Sequence, residues 1–185
     1  MSNSPLKIGI AGLGTVGVGV VKLLSQQADL ISLRSGRDIV ITTVSARVPS
    51  KDRGVDLGGV NWSYDPIELA TNKNVDVVVE LIGGEDGIAK ELVEAALANG
   101  KHVVTANKAL IAHHGTELAR SAEAANVAIA FEAAVAGGVP IVKALREGLV
   151  GNKVSRVFGI LNGTCNYILS EMRQTRKEFG LILKE

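Results

Sequence analysis

Residues 7–24 read KIGIAGLGTVGVGVVKLL: an apolar run, three glycines at Gly12, Gly14 and Gly17, then an amphipathic segment. Strand, glycine turn and helix in that order open a βαβ unit. In such a unit the first glycine permits the tight turn, the second lets backbone approach a pyrophosphate, and the third lets helix and strand pack closely. Backbone N–H groups at the helix start then face the phosphates. A chain with 21 glycines can produce G-x-G-x-x-G by chance. The strand before it, the helix after it and its place near the N-terminus make it an expectation of dinucleotide binding. Val16, Val20, Leu23 and Leu24 recur at helical spacing, which predicts one helix face covering a sheet.

At 185 residues the chain can bury one well-formed core, with an excess that belongs to a second domain. Its hydrophobic content is 46% but its aromatic content only 3%, so the core is built from Val, Ile, Leu and Ala, as suits buried parallel strands. Twenty basic and 19 acidic residues leave a formal charge of +1, with no broad attraction for nucleic acid or an anionic membrane. A single cysteine, Cys165, excludes an internal disulfide and a Cys-based zinc site, and fits a reducing compartment. No charged segment leads into a sustained apolar one at the N-terminus, and no run approaches ~18 apolar residues. A soluble cytoplasmic protein is the expectation.

Apolar runs at Leu6–Ala11, Ile39–Ser45, Val75–Leu81, His102–Thr105, Val127–Phe131 and Val154–Leu161 read as strands. Asp65, Pro66 and Glu68 make a helix start, with an N-cap, a first-turn proline and an acid three residues after the cap. Ile88–Ala98 is the next helix, ended by Asn99 and Gly100. Thr116–Ala125 is another, with Leu118, Ala122 and Ala125 as its buried stripe. This alternation predicts an α/β fold with a right-handed, doubly wound, Rossmann-type parallel sheet and a ligand at the carboxyl ends of its strands. Residues 47–64 lack periodicity and read as a loop edging the cofactor site. From Ala133 the pattern changes, and Gly137, Gly138 and Pro140 suggest a bend opening a new helix. Residues 1–132 are therefore expected to form the nucleotide-binding domain, and residues 133–185 the beginning of an α+β substrate and dimerisation domain, in which Met172–Glu185 reads as the start of a connecting helix.

The residue at the end of the second strand selects the cofactor, because an acid there would hydrogen-bond the ribose 2′-OH of NAD. Here the strand runs into Arg47, whose guanidinium suits a 2′-phosphate, with Lys51 and Arg53 close behind. NADP is thus expected over NAD; the plainer alternative leaves Arg47 as a solvated loop residue and admits both. The third strand runs into Gly83 and Gly84, and the fourth into Lys108. Glycines there let a cofactor lie against backbone, and Lys108 brings an ammonium near the nicotinamide or the substrate. A surface lysine is an equal reading from spacing alone.

GLGTVG, VVVELIGG, VVTANKALIA, FEAAVAGGVPIVKALREGL and GILNGTCNYILSEM, in this order over about residues 7–172, strongly resemble homoserine dehydrogenase. The resemblance implies NAD(P)-dependent interconversion of L-homoserine and aspartate 4-semialdehyde, a step towards threonine, methionine and isoleucine. It implies that Gly12, Leu13, Gly14, Thr15, Val16 and Gly17 hold the pyrophosphate, with Arg47 on the adenosine phosphate and Gly83 on the cofactor. Lys108 would lie by nicotinamide and substrate as the catalytic lysine. It also implies a monovalent cation, usually Na+, on the main-chain carbonyls of Glu132, Val135, Gly137 and Val139, a plausible set of hard oxygen donors. The full-length relatives would be homodimers or homotetramers. The family's later segment, roughly G-Y-x-E followed by Asp and Lys, grips substrate and relays a proton; no such segment stands before Glu185. The expectation is a fragment that binds cofactor and turns over poorly.

Two rival readings stand beside this one. An acylating aldehyde dehydrogenase would use Cys165 as nucleophile, but no histidine follows it in the chain, and a small buried packing cysteine is the plainer account. A nucleotide-binding module without catalysis is the other. His113 and His114 read as a solvated turn before Gly115 rather than metal ligands, and Glu80, Glu85 and Asp86 as a charged loop and helix start.

Overall fold

The computed structural model describes residues 4–159 and 162–184. Six strands form one sheet: β1 (Leu6–Ala11), β2 (Ile39–Ser45), β3 (Asn61–Ser63), β4 (Val77–Glu80), β5 (His102–Thr105) and β6 (Ile129–Ala130). Their order is β3-β2-β1-β4-β5-β6, and every neighbouring pair is parallel. The chain leaves β1 on one side and later returns on the other, so a crevice opens above the carboxyl ends of β1 and β4. This reversal of winding is the place where such sheets bind ligands.

Both faces of the sheet are covered, as a parallel sheet requires. On one face Val78 and Val103 pack with Leu92, Val93 and Ala96 of α4 (Ile88–Ala98) and Leu110, Leu118 and Ala122 of α5 (Lys108–Ala124). Leu69 and Ala70 of the short α3 (Glu68–Thr71) complete that layer. On the other face Ile8, Ile10, Val44, Val77 and Val79 meet Val21 of α1 (Thr15–Gln26). The alternation of Val77, Val78 and Val79 between the two clusters is the period of two expected of a strand. Between α1 and β2 lies α2 (Ala28–Ser35), which buries no residue and ends at Gly36 in the left-handed conformation.

Several expectations need correction. The buried stripe of α1 runs through Gly17, Val20, Val21 and Leu24, whereas Val16 and Leu23 are exposed. Periodicity found Val20 and Leu24 but not Gly17, a glycine with no side chain to register, nor Val21. β3 lies inside the predicted 47–64 loop; three residues are too short for a periodic signal, and it exists because Asn61, Trp62 and Ser63 pair with Thr43, Val44 and Ser45. α5 begins at Lys108, eight residues before the expected Thr116, because Asn107 caps it by accepting from the Leu110 N–H at 3.1 Å. Ala125 is only partly buried. The expected strand at 154–161 is unpaired over its described part, residues 154–159; a strand needs a partner for its N–H and C=O groups. Residues 160–161 lie outside the described residues.

Contacts divide the chain into a compact unit of residues 1–142 and a second of residues 143–185. In the first, a 3-10 turn at Glu132–Ala134 leads to the expected bend, where Ala136 and Gly138 have φ of 49° and 88°. α6 (Ile141–Lys143) begins there, the Glu132 carboxylate accepting from the Val142 N–H at 3.1 Å. The second unit holds a π-turn at Ala144–Gly148, α7 (Gly163–Thr175) and α8 (Phe179–Ile182). The helix expected from Met172 onward is instead two: Arg176 adopts φ 57° and stops α7.

Candidate functional site

A groove of about 680 Å³ lies at the carboxyl ends of β1, β2 and β4. One wall is the glycine turn, where the three glycines do different work. Gly12 has φ 100°, and a Cβ there would overlap the Leu81 carbonyl oxygen. A Cβ at Gly17 would overlap the Gly12 carbonyl oxygen, so this glycine sets how closely α1 approaches the turn. Gly14 has an ordinary φ of −80°, and a Cβ there would meet no protein atom within 4 Å. Neither backbone strain nor packing demands glycine at position 14, which lines the groove.

Behind Gly14, α1 starts without a side-chain cap and without an acid in its first turn. Its first N–H groups and the positive end of its dipole therefore point at whatever occupies the groove, the arrangement that attracts a phosphate. Thr15 and Val16 are exposed at this helix start and Gly17 is buried beneath it.

The opposite wall is the connection after β2. Arg47, Val48, Lys51 and Arg53 line it. Arg47 is exposed, and neither it nor Lys51 makes a side-chain hydrogen bond or ion pair among the described residues, which leaves both charges available. Arg53 differs: its guanidinium donates to the carbonyls of Leu13, Val48, Pro49 and Lys51 and lies 5.3 Å from the Trp62 ring centroid. No carboxylate stands at the end of β2 to favour a free ribose hydroxyl.

A third element was missed by the sequence reading. Glu80, placed there in a charged loop, is fully buried at the end of β4. Its Oε1 accepts from the N–H groups of Ile82 and Gly83 at 2.7 and 3.1 Å, and its Oε2 from the Thr105 hydroxyl at 2.6 Å. The Thr105 oxygen accepts from the Asn107 N–H at 2.9 Å, and the Asn107 amide donates to the Gly84 carbonyl at 2.6 Å. This chain of bonds fixes the loops after β4 and β5 against each other. A buried carboxylate is tolerated only when so satisfied. The signal available in sequence was an acid closing an apolar strand in VVVELIGG.

Lys108 is the first residue of α5, exposed, directly after the Asn107 cap. The groove brings together Gly12, Leu13, Gly14 and Arg47 from the predicted set. Gly83 and Lys108 lie outside its lining, Gly83 next to the lining residue Ile82 and Lys108 at the end of β5. An ammonium at a helix N-terminus opposes the dipole, so helix stability does not explain this lysine.

His113 and His114 are not in a turn; they lie within α5. They face the acids of the β4–α4 loop, His113 Nε2 3.1 Å from Glu85 and His114 Nε2 3.0 Å from Asp86. Among the described residues no group of three or more His, Cys, Asp or Glu side chains is placed to hold a metal. Cys165 is exposed in the first turn of α7, contrary to the buried packing role expected, and its N–H donates to the Asn162 side chain at 2.9 Å. No described helix is long and apolar enough to cross a membrane. Of the four bend carbonyls, those of Glu132 and Val139 accept from Val135 and Ile141 N–H groups at 3.3 and 2.8 Å, while no described N–H bonds those of Val135 and Gly137.

Residues 12–132 match the family model described as "Homoserine dehydrogenase, NAD binding domain", and residues 140–185 the model described as "Homoserine dehydrogenase". A homoserine dehydrogenase of Neisseria gonorrhoeae is 51% identical over 181 residues, and one of Bacillus subtilis 40% over 180; each alignment takes in 98% or 97% of this chain but 41% of the relative. The crystal structure of a homoserine dehydrogenase from Thiobacillus denitrificans superposes with a TM-score of 0.87 at 47% identity, covering 98% of this chain and 42% of that one. A hyperthermophilic archaeal homoserine dehydrogenase in complex with NADPH superposes with a TM-score of 0.79 at 25% identity, covering 98% of this chain and 60% of that one. The chain thus spans about two fifths of the length of the curated relatives it matches. With its six-stranded parallel sheet and the matched residues of the glycine-turn domain, this chain belongs to the homoserine dehydrogenase family.

Proposed function

We propose that this chain supplies the cofactor-binding half of an enzyme that interconverts L-homoserine and aspartate 4-semialdehyde, in the biosynthesis of threonine, methionine and isoleucine, and that the cofactor is NADP(H). The observation that carries the reading is Gly14: a glycine that neither packing nor dihedral angle requires, at the uncapped start of α1, in a groove walled opposite by the unpaired Arg47 and Lys51. The nicotinamide cofactor, when bound, supplies the hydride carrier. The residues of this chain bind and orient it. Gly12–Gly17 and the α1 N-terminus take the pyrophosphate, Arg47 the 2′-phosphate by paired charged hydrogen bonds, and Gly83 lets the ring end lie against backbone. The archaeal relative solved with NADPH supports this cofactor choice.

Lys108 serves at the reacting end. Its exposed ammonium, against the local dipole and held by the Asn107–Gly84 tie, stabilises charge developing on the substrate oxygen. The carbonyls of Glu132, Val135, Gly137 and Val139 form a monovalent cation site, Na+ in the first instance, supported by the two left with no described N–H partner. The completed enzyme assembles as a homodimer or homotetramer and works in the cytoplasm, a compartment that suits its one unpaired cysteine. Residues 1–185 match about two fifths of the relatives' length, and in this reading substrate grip and proton relay belong to the other three fifths of those relatives. Titration of this chain with NADPH and NADH, followed by nicotinamide fluorescence, tests the binding; tighter NADH binding refutes the cofactor assignment. Robust homoserine-dependent reduction of NADP by residues 1–185 refutes the division of labour.

A further inference from the structure

Arg53 belongs, by sequence, with Arg47 and Lys51 as a third phosphate-binding cation. The geometry points elsewhere. A guanidinium has five N–H donors in a rigid plane. In Arg53, Nε donates to the Leu13 carbonyl at 3.3 Å, Nη1 to those of Pro49 and Lys51 at 3.4 and 2.7 Å, and Nη2 to that of Val48 at 2.6 Å. Four donors are therefore committed to backbone oxygen. The guanidinium carbon lies 5.3 Å from the Trp62 ring centroid, and Trp62 is held in β3 and packed, partly buried, against the core on that side of the sheet. Three of the accepting carbonyls belong to the stretch that carries Lys51 and follows Arg47. The fourth belongs to the glycine turn itself.

We propose that Arg53 is a positioning residue for cofactor selectivity: it ties the 47–53 loop to the glycine turn, so that the 2′-phosphate arm and the pyrophosphate arm are held at one spacing before the ligand arrives. This rests on the reading of Arg47 and Lys51 as the 2′-phosphate arm. The residues of that loop have no strand or helix of their own; without the guanidinium, ordering them would be charged against binding. Only NADP(H) engages the loop through a 2′-phosphate, so NADPH should lose more than NADH. Lysine cannot substitute, because a compact ammonium with three donors does not span four carbonyls.

The test is equilibrium titration of the chain and its Arg53→Lys and Arg53→Ala variants with NADPH and NADH, alongside amide exchange of the ligand-free proteins. Expected are a rise of roughly tenfold in the NADPH dissociation constant for both variants, a change of at most about threefold for NADH, and faster exchange confined to residues 47–54. Parallel losses for the two cofactors would mean a merely structural role, and full NADPH affinity in Arg53→Lys would mean that charge alone suffices; either overturns the proposal. Failure of the unmodified chain to prefer NADPH brings down the reading of Arg47 and this inference with it. A preference that is intact in the variants brings down only the inference.

Discussion

Replacing the glycines of the turn one at a time separates folding from binding. An alanine Cβ at Gly17 would overlap the Gly12 carbonyl oxygen and lie 3.0 Å from its carbon. Both atoms are backbone, so α1 must move off the turn. Overpacking of this kind costs about 1–3 kcal/mol, or roughly 2–12 °C in thermal midpoint for a chain of this size. At Gly14 the added methyl meets open space and φ is −80°. Reduced freedom of the unfolded chain stabilises by about 0.4–1 kcal/mol, while alanine is a poorer N-cap than glycine by a similar amount, so stability should stay within about 1 kcal/mol of the parent. Yet Gly14 lines the groove in which the proposed pyrophosphate would lie against the backbone. Displacing the ligand by even one methyl radius should weaken NADPH and NADH alike by roughly tenfold or more. Thermal unfolding and fluorescence titration of Gly14→Ala and Gly17→Ala decide the matter. A Gly14→Ala protein that binds NADPH within about twofold of the parent would refute the placement of the pyrophosphate.

Arg47→Ala should weaken NADPH by roughly tenfold and leave NADH unchanged; unchanged selectivity rejects the 2′-phosphate assignment. Glu80→Gln keeps an acceptor for the Ile82 and Gly83 N–H groups but sets an amide donor against the Thr105 hydroxyl, and should cost about 1–3 kcal/mol by urea unfolding; a neutral outcome would show that the buried network is unimportant. Lys108→Met removes a cation from a helix N-terminus and should stabilise the chain by about 0.3–1 kcal/mol while leaving NADPH affinity largely intact; loss of stability would contradict its placement. Burial pulls the Lys101 ammonium below its ordinary value of 10.5, so the unfolded chain binds more protons just under that pH. Unfolding free energy should therefore rise with pH in that window, and the slope should flatten in Lys101→Met, as measured by urea unfolding at stepped pH.

Local information was sufficient where one segment carried the whole signal. The strand–glycine–helix opening, the runs at Ile39–Ser45 and His102–Thr105, and the helix at Ile88–Ala98 stand where the sequence placed them, because periodicity and turn chemistry act within a few residues. The family could also be named from its motifs. Tertiary structure decided what depends on partners distant in the chain. Asn61–Ser63 became a strand only because β2 offered an unpaired edge, whereas residues 154–159, for all their apolar run, pair with no strand. Glu80 reads in sequence as one charge in an acidic loop, but Thr105, 25 residues on, makes it a buried tie between two site loops. Arg47 and Arg53 are equivalent cations in a list of residues. Leu13, 40 residues before Arg53, takes one of its hydrogen bonds and helps commit it to structure, while Arg47 makes no side-chain bond among the described residues. Sequence spacing sets which groups are at hand; the directions of hydrogen bonds across the fold set which of them remain available.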